Sequence, residues 1–414
     1  MDGRPFFHEL HVVGVGMTFY DFLSSPEIRE YLEGQIALLQ NTDAIPAADE
    51  ILLRTGSFLD GSLRLCPPER RLINKLGSDK KRTIYIFPEA DQLVLKAVHF
   101  ALARSDLKLL PCCLAFRPGF HVHSAFLSMI RKASPAYSCI RLDIRNFFNS
   151  IPTERMVEVV EKSLPQYKDL VAALSYLLLD VRIIENGHIR EDYAKGVMAG
   201  MPLSPLLANM YLTEFDRSAV QWAPVYGRYS DDIIFFCPAE DVMKIYDLAG
   251  EELANLGLLI HPDKSKTVPP GEKWEFLGLS YHQGVIDLSD ASIQKMKGKI
   301  SRSARKLYRW KCSKDASTER AVRALIRKFQ YKFYGSGAED DELTWSRWYF
   351  PLINRTDGLR TIDQYFQIWA RYLAGGRHRK VHYKKVPYHM LMEYGYVPLV
   401  SAYHKRNRDP AGKK

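Results

Sequence analysis

Three carboxylates lie where apolar strands are predicted to end. Asp143 follows a short apolar run, and Asp231 and Asp232 separate two β-rich runs, Val225–Tyr229 and Ile233–Cys237. An acid at the end of a buried strand is costly unless its charge is compensated, and a divalent cation is the simplest compensation. Mg²⁺ prefers carboxylate oxygens, and two such ions about 3.5–4 Å apart support phosphoryl transfer. Taken alone, the acid pair also fits an ordinary turn, because Asp is common in turns.

The elements that position these acids alternate between strand and helix patterns up to about residue 288. Thr83–Phe87 is β-rich, Asp91–Ala103 has a helical pattern, and the two runs around the acid pair predict a hairpin with acids at its tip. From Ala291 to Tyr334 the pattern is helical, basic and aromatic. Strands separated by helices, together with a tight hairpin, predict an α+β core with an antiparallel sheet and a helical module after it.

Positive charge is concentrated in the last third of the chain, whose overall net charge is +10. Residues 301–334 contain eleven Lys and Arg against two acids, and residues 375–414 contain ten against two. This distribution is typical of a protein that binds a polyanion, although a solvated surface has the same pattern. The six cysteines lack C-x-x-C spacing and no apolar stretch reaches the length of a membrane span, so we expect a cytoplasmic protein with reduced thiols and no membrane partner.

Several motifs occur in the order found in reverse transcriptases. The sequence RLDIRNFFNSI at 141–151 resembles the first catalytic motif of that family, AGMPLSPLLAN at 199–209 resembles the second, and YSDD at 229–232 resembles the Tyr-x-Asp-Asp signature. Four other segments are similar to flanking motifs, namely Lys81–Ile84, Phe116–Gly119, Lys264–Thr267 and Phe276–Leu279. The ordered set resembles bacterial reverse transcriptases of the retron and group II intron superfamily, and is most like the defence-associated enzymes.

This resemblance implies a right-hand polymerase with fingers, a palm made of an antiparallel sheet plus helices, and a helical thumb. The implied divisions are an N-terminal helical extension at 1–60, fingers at 61–138, a palm with fingers elements at 139–288, a thumb at 289–374 and a basic C-terminal tail at 375–414.

The resemblance also assigns catalytic and metal-binding roles. Asp143, Asp231 and Asp232 are the expected catalytic residues. Two Mg²⁺ ions are the expected cofactors, held by Asp143 and Asp231 with help from the backbone carbonyl of Ile144, while Asp232 supports them from nearby. Asn149 stands where many relatives have Asp, and we expect little effect on the chemistry because this position lies outside the metal pair.

The residues expected to bind the incoming nucleotide come from two of the motifs. Phe148 matches the position that packs under the sugar and excludes a 2′-hydroxyl, although a core phenylalanine is the alternative. Arg82 matches an arginine that grips the triphosphate, with Lys81 beside it, because a planar guanidinium binds phosphate oxygens in pairs. The alternative for these two cations is a solvated basic turn.

Two further residues match positions at which the backbone approaches nucleotide or template and at which a proton is transferred to pyrophosphate. Gly200 matches a position where the backbone lies against nucleotide or template, which the absence of a Cβ permits. Lys264 matches a lysine that protonates the leaving pyrophosphate, and Lys266 competes for this assignment. Ala199 replaces the Gln of many relatives, so one side-chain contact to the nucleotide is expected to be missing.

Contacts to the nucleic acid are expected mainly from the basic C-terminal third. Aromatic residues alternate there with cations, a composition that suits a duplex held by its phosphates and an RNA with unstacked bases. Arg117 is expected either to contact the template or to serve as a structural ion-pair partner. The other expected contacts are Arg305, Arg309, Arg377, Arg379, Lys380, Lys384 and Lys385.

These observations together predict an RNA-directed DNA polymerase. Its expected partners are dNTPs, a cDNA product and an RNA template, a dedicated non-coding RNA copied in antiviral defence. One alternative is a template-independent or protein-primed DNA polymerase, and another is a maturase-like RNA-binding protein, which would not need intact acids. A third, an RNA-dependent RNA polymerase, is disfavoured by Phe148.

Overall fold

The computed structural model describes residues 23–39, 46–74, 81–105, 107, 109–117, 122–335 and 344–408. The N-terminal part of the predicted extension, Pro118 and Gly119 of one motif, and the last six residues of the predicted tail lie outside the described residues. The chain divides into two compact units between Thr267 and Val268.

The first unit combines helices with two sheets. Its strands are β1 (Glu69–Asn74), β2 (Lys81–Ile86), β3 (Ser138–Asp143), β4 (Arg182–Glu185), β5 (His188–Glu191), β6 (Val225–Tyr229) and β7 (Asp232–Cys237), with β8 (Lys266–Val268) at its border. Its helices are α1 (Pro26–Ala37), α2 (Ala48–Leu59), α3 (Glu89–Arg104), α4 (Val122–Lys132), α5 (Phe147–Ser150), α6 (Thr153–Ser163), α7 (Lys168–Leu179), α8 (Ser204–Tyr211), α9 (Thr213–Trp222) and α10 (Val242–Asn255).

The second unit pairs a small sheet with a group of helices. Its strands are β9 (Trp274–Phe276), β10 (Leu279–His282) and β11 (Val285–Leu288), in the order β11-β10-β9. Its helices are α11 (Asp290–Ser313), α12 (Thr318–Tyr334), α13 (Trp345–Tyr349), α14 (Asp357–Tyr372), α15 (His382–Lys385), α16 (Tyr388–Glu393) and α17 (Leu399–Arg408).

The sheet that carries the acids has the order β6-β7-β3-β8. Its central strand β7 pairs antiparallel with both β6 and β3. Strand β7 is buried at every position after Asp232, and β3 is buried at all but Arg141. Strands covered on both faces consist of near-continuous apolar residues rather than an alternating pattern, which explains why both runs are so apolar. The predicted α+β core with an antiparallel sheet is confirmed.

A second sheet, of order β2-β1-β4-β5, forms the N-terminal side of the same unit. Strands β1 and β2 pair antiparallel, with Arg70 opposite Tyr85. The adjoining helix α3 has Glu89 and Asp91 in its first turn and Arg104 in its last, which complements the helix dipole. The β-rich run and the following helical pattern were thus predicted within two residues, whereas the hairpin of β4 and β5 was not predicted.

The helical pattern predicted from 291 to 334 consists of two helices, α11 and α12. Ser289 begins α11, where its Oγ accepts a hydrogen bond from the backbone of Ser292 at 3.1 Å. Ser317 does the same for α12, accepting from the backbone of Arg320 at 3.1 Å. Each hydroxyl accepts a hydrogen bond from a backbone N–H that has no partner within its own helix. The second of these caps, Ser317, therefore marks the start of a second helix.

The segment expected to be a basic tail is folded up to residue 408. Buried Asp363 on α14 accepts hydrogen bonds from the Tyr396 hydroxyl at 2.8 Å and from the backbone of Leu399 and Val400 at 2.9 and 3.1 Å. These bonds fasten the start of α17 to α14. Removal of residues 376–414 would therefore strip part of the core of this unit, so RNA binding is better tested with surface substitutions.

All six cysteines are free thiols; Cys113, Cys139 and Cys237 are buried, whereas Cys66 and Cys312 are exposed and do not belong to the core. Across the described residues, no helix combines the length and the apolar character that crossing a membrane requires.

Candidate active site

The three acids meet at one edge of the central sheet. Asp143 at the end of β3 lies directly opposite Asp232 at the start of β7. Asp231 belongs to the two-residue turn that joins β6 to β7, in which Tyr229 pairs with Asp232. Ser230, the other turn residue, has φ of 59°, as two-residue hairpin turns require. The hairpin predicted from the sequence therefore brings the acid pair to the end of the neighbouring strand.

The backbone also joins the two acid-bearing segments. The amide of Ile144, the residue after Asp143, donates a hydrogen bond to the carbonyl of Asp231 at 3.3 Å. Ile144 is 1% exposed, so its main chain is fixed beside the turn. The carbonyl proposed to assist the metal therefore belongs to a rigid part of the site.

The acid cluster is short of positive charge. Burial raises the pKa of Asp231, and the nearby carboxylate of Asp143 adds to the increase, whereas Lys264 and Arg82 oppose it. Burial likewise raises the pKa of Asp232 to about 6, with the charge of Asp231 as the next cause. Both shifts mean that ionised carboxylates are destabilised here, and a bound cation would relieve this destabilisation.

The donor set suits a hard cation that keeps some of its own ligands. In the described part of the chain, no three His, Cys, Asp or Glu side chains form a ready-made metal cage. A cation at this edge would rest on carboxylates and a backbone oxygen and would take its remaining ligands from water or substrate phosphates. Mg²⁺ binds in this way, in contrast to ions that require a complete protein cage.

Lys264 is paired directly with one of the acids. Its Nζ donates to both carboxylate oxygens of Asp143, at 2.6 and 2.8 Å. The loop before it is fixed to β3, because the amide of His261 donates to the Asp143 carbonyl at 2.7 Å and the amide of Asp143 donates to Ser265 Oγ at 3.2 Å. Lys264 is thus held at the end of β3 by its neighbours in the chain.

A cavity of about 290 Å³ opens beside the acids. Its lining includes the predicted residues Lys81, Arg82, Ile144, Phe148, Asp231 and Lys264. The remaining lining residues are Thr83, Arg145, Asn146, Phe147, Asn149, Ala199 and His261. Three cations from β2 and the loop before β8 therefore share one cavity with an acid of the turn. Of the two competing lysines, Lys264 lines this cavity, while Lys266 is exposed on β8.

The two adjacent phenylalanines differ in how deeply they are buried. Phe147 is 3% exposed and belongs to the core, whereas Phe148 is half-buried and lies against it with ring centroids 5.4 Å apart. The carbonyl of Phe148 accepts from the amide of Val197 at 2.9 Å. A Cβ on Gly196 would lie 2.4 Å from the same carbonyl oxygen, so only glycine permits this approach. Phe148 lines the cavity, and its role as the sugar gate remains a prediction.

Gly200 lies against strand β2. It has φ of 106°, and a Cβ there would come within 2.9 Å of the Tyr85 carbonyl oxygen. The preceding Ala199 carbonyl accepts from the amide of Tyr85 at 2.8 Å. The close backbone approach expected at this glycine thus includes β2 itself, and contact with nucleotide or template stays a prediction.

Asn149 has a position that the sequence did not reveal. Its Nδ2 donates to the Thr83 carbonyl at 3.3 Å, and its Oδ1 accepts from the amide of Ala199 at 2.8 Å. The side chain therefore connects β2 to the loop before α8. Because Thr83 follows Arg82, Asn149 fixes the strand that carries the predicted triphosphate ligand.

The predicted nucleic-acid contacts have different surroundings. Arg117 donates to the carbonyls of Leu110 and Cys113 at 2.9 and 3.3 Å, which braces its own loop. The guanidinium of Arg305 lies 5.1 Å from the ring centroid of Trp369, within the range of a cation–π contact. The remaining predicted contacts are exposed side chains of the second unit, namely Arg309, Arg377, Arg379, Lys380, Lys384 and Lys385.

A further charged residue, Arg228, was missed. It lies within the apolar strand β6 and is 0% exposed, paired with Asp216 of α9 at 2.6 Å. The signal was present in the sequence, because a charge in the middle of a buried run needs a buried partner.

Comparison with known proteins identifies the family. The family model for reverse transcriptase (RNA-dependent DNA polymerase) matches residues 73–281, just over half of the 414 residues. The chain belongs to the reverse transcriptase family. The matched range contains all three acids, the cavity and Lys264.

Individual relatives include two bacterial proteins. The chain is 28% identical over 221 residues to the group II intron-encoded protein LtrA of Lactococcus lactis subsp. cremoris, covering 51% of this chain and 36% of LtrA. It is 29% identical over 108 residues to the retron Ec83 reverse transcriptase of Escherichia coli, covering 25% of this chain and 33% of that protein. The predicted resemblance to the retron and group II intron superfamily is confirmed, and the chain spans about a third of the length of these two relatives.

Among solved structures, apo telomerase from Candida tropicalis is similar at 12% identity with a TM-score of 0.42, covering 82% of this chain and 68% of that chain.

Proposed function

We propose that this protein is an RNA-directed DNA polymerase. The observation that carries the proposal is the cavity beside the acids, where Asp231 and four cations, Lys81, Arg82, Arg145 and Lys264, meet. A nucleoside triphosphate needs both, because its phosphates carry negative charge and its transfer needs carboxylate-bound metal. A maturase-like binder needs neither the acids nor a cavity of this composition.

The acids are the proposed ligands of two Mg²⁺ ions. Asp143, Asp231 and the carbonyl of Ile144 would hold them, with Asp232 in support. The chemistry that these ions supply when bound is activation of the primer 3′-hydroxyl and stabilisation of the leaving pyrophosphate. The raised pKa values of Asp231 and Asp232 support the proposal, since burial, their main cause, and repulsion between the acids both destabilise carboxylate charge that a bound cation would stabilise.

The cavity cations are the proposed partners of the triphosphate. Arg82, with Lys81 beside it, would bind phosphate oxygens from the β2 side. Lys264, on the other side, would leave Asp143 and donate its proton to the leaving pyrophosphate, as a general acid must lie within hydrogen-bond reach of the atom that it protonates. Phe148 would select dNTPs by excluding a 2′-hydroxyl.

The proposal extends to the domains of the chain and to their contacts with RNA. Residues 61–138 would form the fingers, 139–288 the palm and 289–374 the thumb, with the exposed cations of the second unit contacting RNA. We further propose that the template is a dedicated non-coding RNA and that its cDNA acts in antiviral defence in the cytoplasm. The support for this role is the resemblance of the motifs to those of defence-associated reverse transcriptases.

The deciding experiment identifies product and template together. Purified protein with its co-purifying RNA would be incubated with Mg²⁺ and labelled dNTPs, and the products sequenced, with an Asp231→Ala/Asp232→Ala variant in parallel. We expect DNA complementary to one discrete RNA, absent in the variant.

Other results would select the alternatives. DNA without a template counterpart, or DNA attached to a tyrosine, would identify a template-independent or protein-primed polymerase. RNA binding without any DNA synthesis would identify a maturase-like protein.

A further inference from the structure

A buried guanidinium lies directly behind the acid-bearing turn. Arg228 is on β6, two residues before the turn residue Ser230. Its side chain is 0% exposed and Asp216, its ion-pair partner on α9, is 1% exposed. Two charges so fully removed from water are retained only with excellent geometry and further hydrogen bonds. The geometry here is bidentate, with Nε 2.8 Å from Oδ1 and Nη2 2.6 Å from Oδ2 of Asp216.

The third nitrogen of the guanidinium reaches the turn itself. Nη1 donates to the carbonyl oxygen of Ser230 at 3.2 Å and to Oδ1 of Asn209 at 3.0 Å. Ser230 is 6% exposed and has φ of 59°, a conformation that non-glycine residues seldom adopt without support from their surroundings. A charge-assisted hydrogen bond to its carbonyl provides such support.

The partners of Arg228 are themselves fixed. Asp216 Oδ1 also accepts from the Tyr226 hydroxyl at 2.6 Å. Asn209 on α8 donates through Nδ2 to the Ala115 carbonyl at 2.8 Å. The backbone amide of Arg228 donates to the Cys112 carbonyl at 2.9 Å. The guanidinium is thus held from two helices and two backbone segments, and it cannot shift without breaking several of these bonds.

We propose that Arg228 is a positioning residue that fixes the Ser230–Asp231 turn and thereby the direction of the Asp231 carboxylate. This inference rests on the proposed function, in which Asp231 holds a divalent cation. The carbonyl and the carboxylate belong to adjacent residues of a two-residue turn, so a rotation of one peptide unit moves both. Arg228 touches neither substrate nor metal and acts only through this peptide.

Arginine is required at position 228 because one side chain must pair with the Asp216 carboxylate and also donate hydrogen bonds to Asn209 and to the Ser230 carbonyl. The guanidinium presents five N–H groups in a rigid plane, and it pairs with Asp216 along one edge while Nη1 points to Asn209 and Ser230. The ammonium of a lysine is a single point on a flexible chain. A lysine can therefore keep the charge of the pair while losing the bond to the turn.

The test compares Arg228→Lys with Tyr226→Phe. The control removes a hydrogen bond to the same oxygen of Asp216 without touching the turn, so it matches the disturbance of the buried cluster. Three measurements are made on each protein: Mn²⁺ binding by electron paramagnetic resonance, hydrogen–deuterium exchange of the β6–β7 hairpin, and primer extension with kcat and the dNTP KM determined separately. Thermal unfolding shows that each variant is folded.

We expect Arg228→Lys to weaken Mn²⁺ binding by about 10–100-fold, the range typical of residues that orient metal ligands. Exchange at the turn should become faster, and kcat should fall while the dNTP KM changes little. Tyr226→Phe should leave Mn²⁺ affinity within about twofold of wild type, because loss of a hydrogen bond outside the turn acts on stability.

Two outcomes would overturn the inference. One is Mn²⁺ affinity and turn exchange in Arg228→Lys equal to those of wild type, and the other is an equal loss of affinity in Tyr226→Phe. If Arg228→Lys does not fold, Asp216→Asn carries the same test, since it keeps the shape of the cluster but loosens its hold on the guanidinium. Wild-type protein that binds no Mn²⁺ would count against the proposed function instead, and faster turn exchange in Arg228→Lys would still support the positioning role.

Discussion

The ammonium group of Lys264 bridges both carboxylate oxygens of Asp143, at 2.6 and 2.8 Å. This pairing places a side-chain cation on an acid that is proposed to bind a metal. Lys264 is 47% exposed and Asp143 is 9% exposed, so the pair is partly screened by water. Lysine and metal therefore compete for the same oxygens, and release of the lysine would free it to reach the leaving group.

Replacing Lys264 with Met should change metal affinity and turnover in opposite directions. An ion pair this exposed is worth about 0.2–1 kcal/mol, so Mn²⁺ or Mg²⁺ should bind up to about fivefold more tightly. Loss of a general acid should lower kcat by about 100-fold or more. Calorimetric titration with the metal and single-turnover primer extension measure the two effects.

Lys266→Met is the matched control, because it removes the same charge two residues away at an exposed position. It should leave both quantities unchanged. Weaker metal binding by Lys264→Met would contradict the competition, and a loss of turnover confined to Lys266→Met would reassign the general acid.

Replacing Phe148 with Ala should relax sugar selectivity. Removing the ring opens the space expected to be denied to a 2′-hydroxyl, and steric discrimination of this kind is worth about 10–100-fold in kcat/KM. The ratio of dNTP to rNTP incorporation should fall by that factor. Phe147→Leu is the comparison, because Phe147 is in the core and its change should lower thermal stability without altering selectivity. If Phe148→Ala does not change sugar selectivity, Phe148 contributes to packing and is not the sugar gate.

Replacing Asn149 with Ala should weaken nucleotide binding. The change removes both hydrogen bonds of the Asn149 side chain, one to the Thr83 carbonyl and one from the Ala199 amide. A hydrogen bond contributes about 1 kcal/mol, so a less firmly held Arg82 should raise the dNTP KM by about three- to tenfold. Asn149→Asp keeps the bond to Ala199 and loses the one to Thr83, and it should give an intermediate KM. A drop in melting temperature with unchanged KM in both variants would limit Asn149 to a structural role.

Replacing Asp232 with Asn should stabilise the metal-free protein, and only at neutral or higher pH. The folded-state pKa of Asp232 is about 6, above the value of about 3.9 in an unfolded chain. Its ionisation therefore disfavours folding, a penalty that is absent below about pH 4 and complete above about pH 6. Thermal unfolding without divalent cation should show a higher melting temperature for the variant at pH 7.5, equivalent to a gain of about 3 kcal/mol in the free energy of unfolding, and no difference at pH 4.

Mg²⁺ should narrow the difference at pH 7.5, because it relieves the same repulsion in the wild type. A variant that is less stable than wild type at both pH values would show instead that the Asp232 carboxylate is needed for folding.

Replacing Lys380 and Lys384 with Ser should weaken RNA binding without disturbing the fold. Both side chains are exposed, so phosphate contacts rather than packing should be lost. For a single strand, removing two contacts should reduce the slope of log affinity against log salt by about 1.4. Lys168→Ser/Lys244→Ser makes the same change in net charge at exposed positions of α7 and α10. An equal loss of affinity in both double variants would indicate a general charge effect rather than a binding surface.

The sequence by itself indicated the family, predicted the candidate site residues and predicted most of the local structure that positions them. Asp143, Asp231 and Asp232 were identified because acids beside apolar strands need compensation, and the strand at Thr83–Phe87 and the hairpin were predicted because β-branched and aromatic runs have strong local preferences. Ordered motifs from Lys81 to Leu279 indicated the reverse transcriptase family. These features depend on residues close together in the chain, so the sequence displays them directly.

Only the tertiary structure decided which distant groups meet. The pairing of Lys264 with Asp143, the bridge made by Asn149 between Thr83 and Ala199, and the contact of Arg228 with the turn depend on residues up to 121 positions apart. A hydrogen bond is specified to a few tenths of an ångström, and no local propensity carries that information. The full burial of Phe147 and the partial burial of Phe148 were decided in the same way, because adjacent residues on a short helix turn point in different directions.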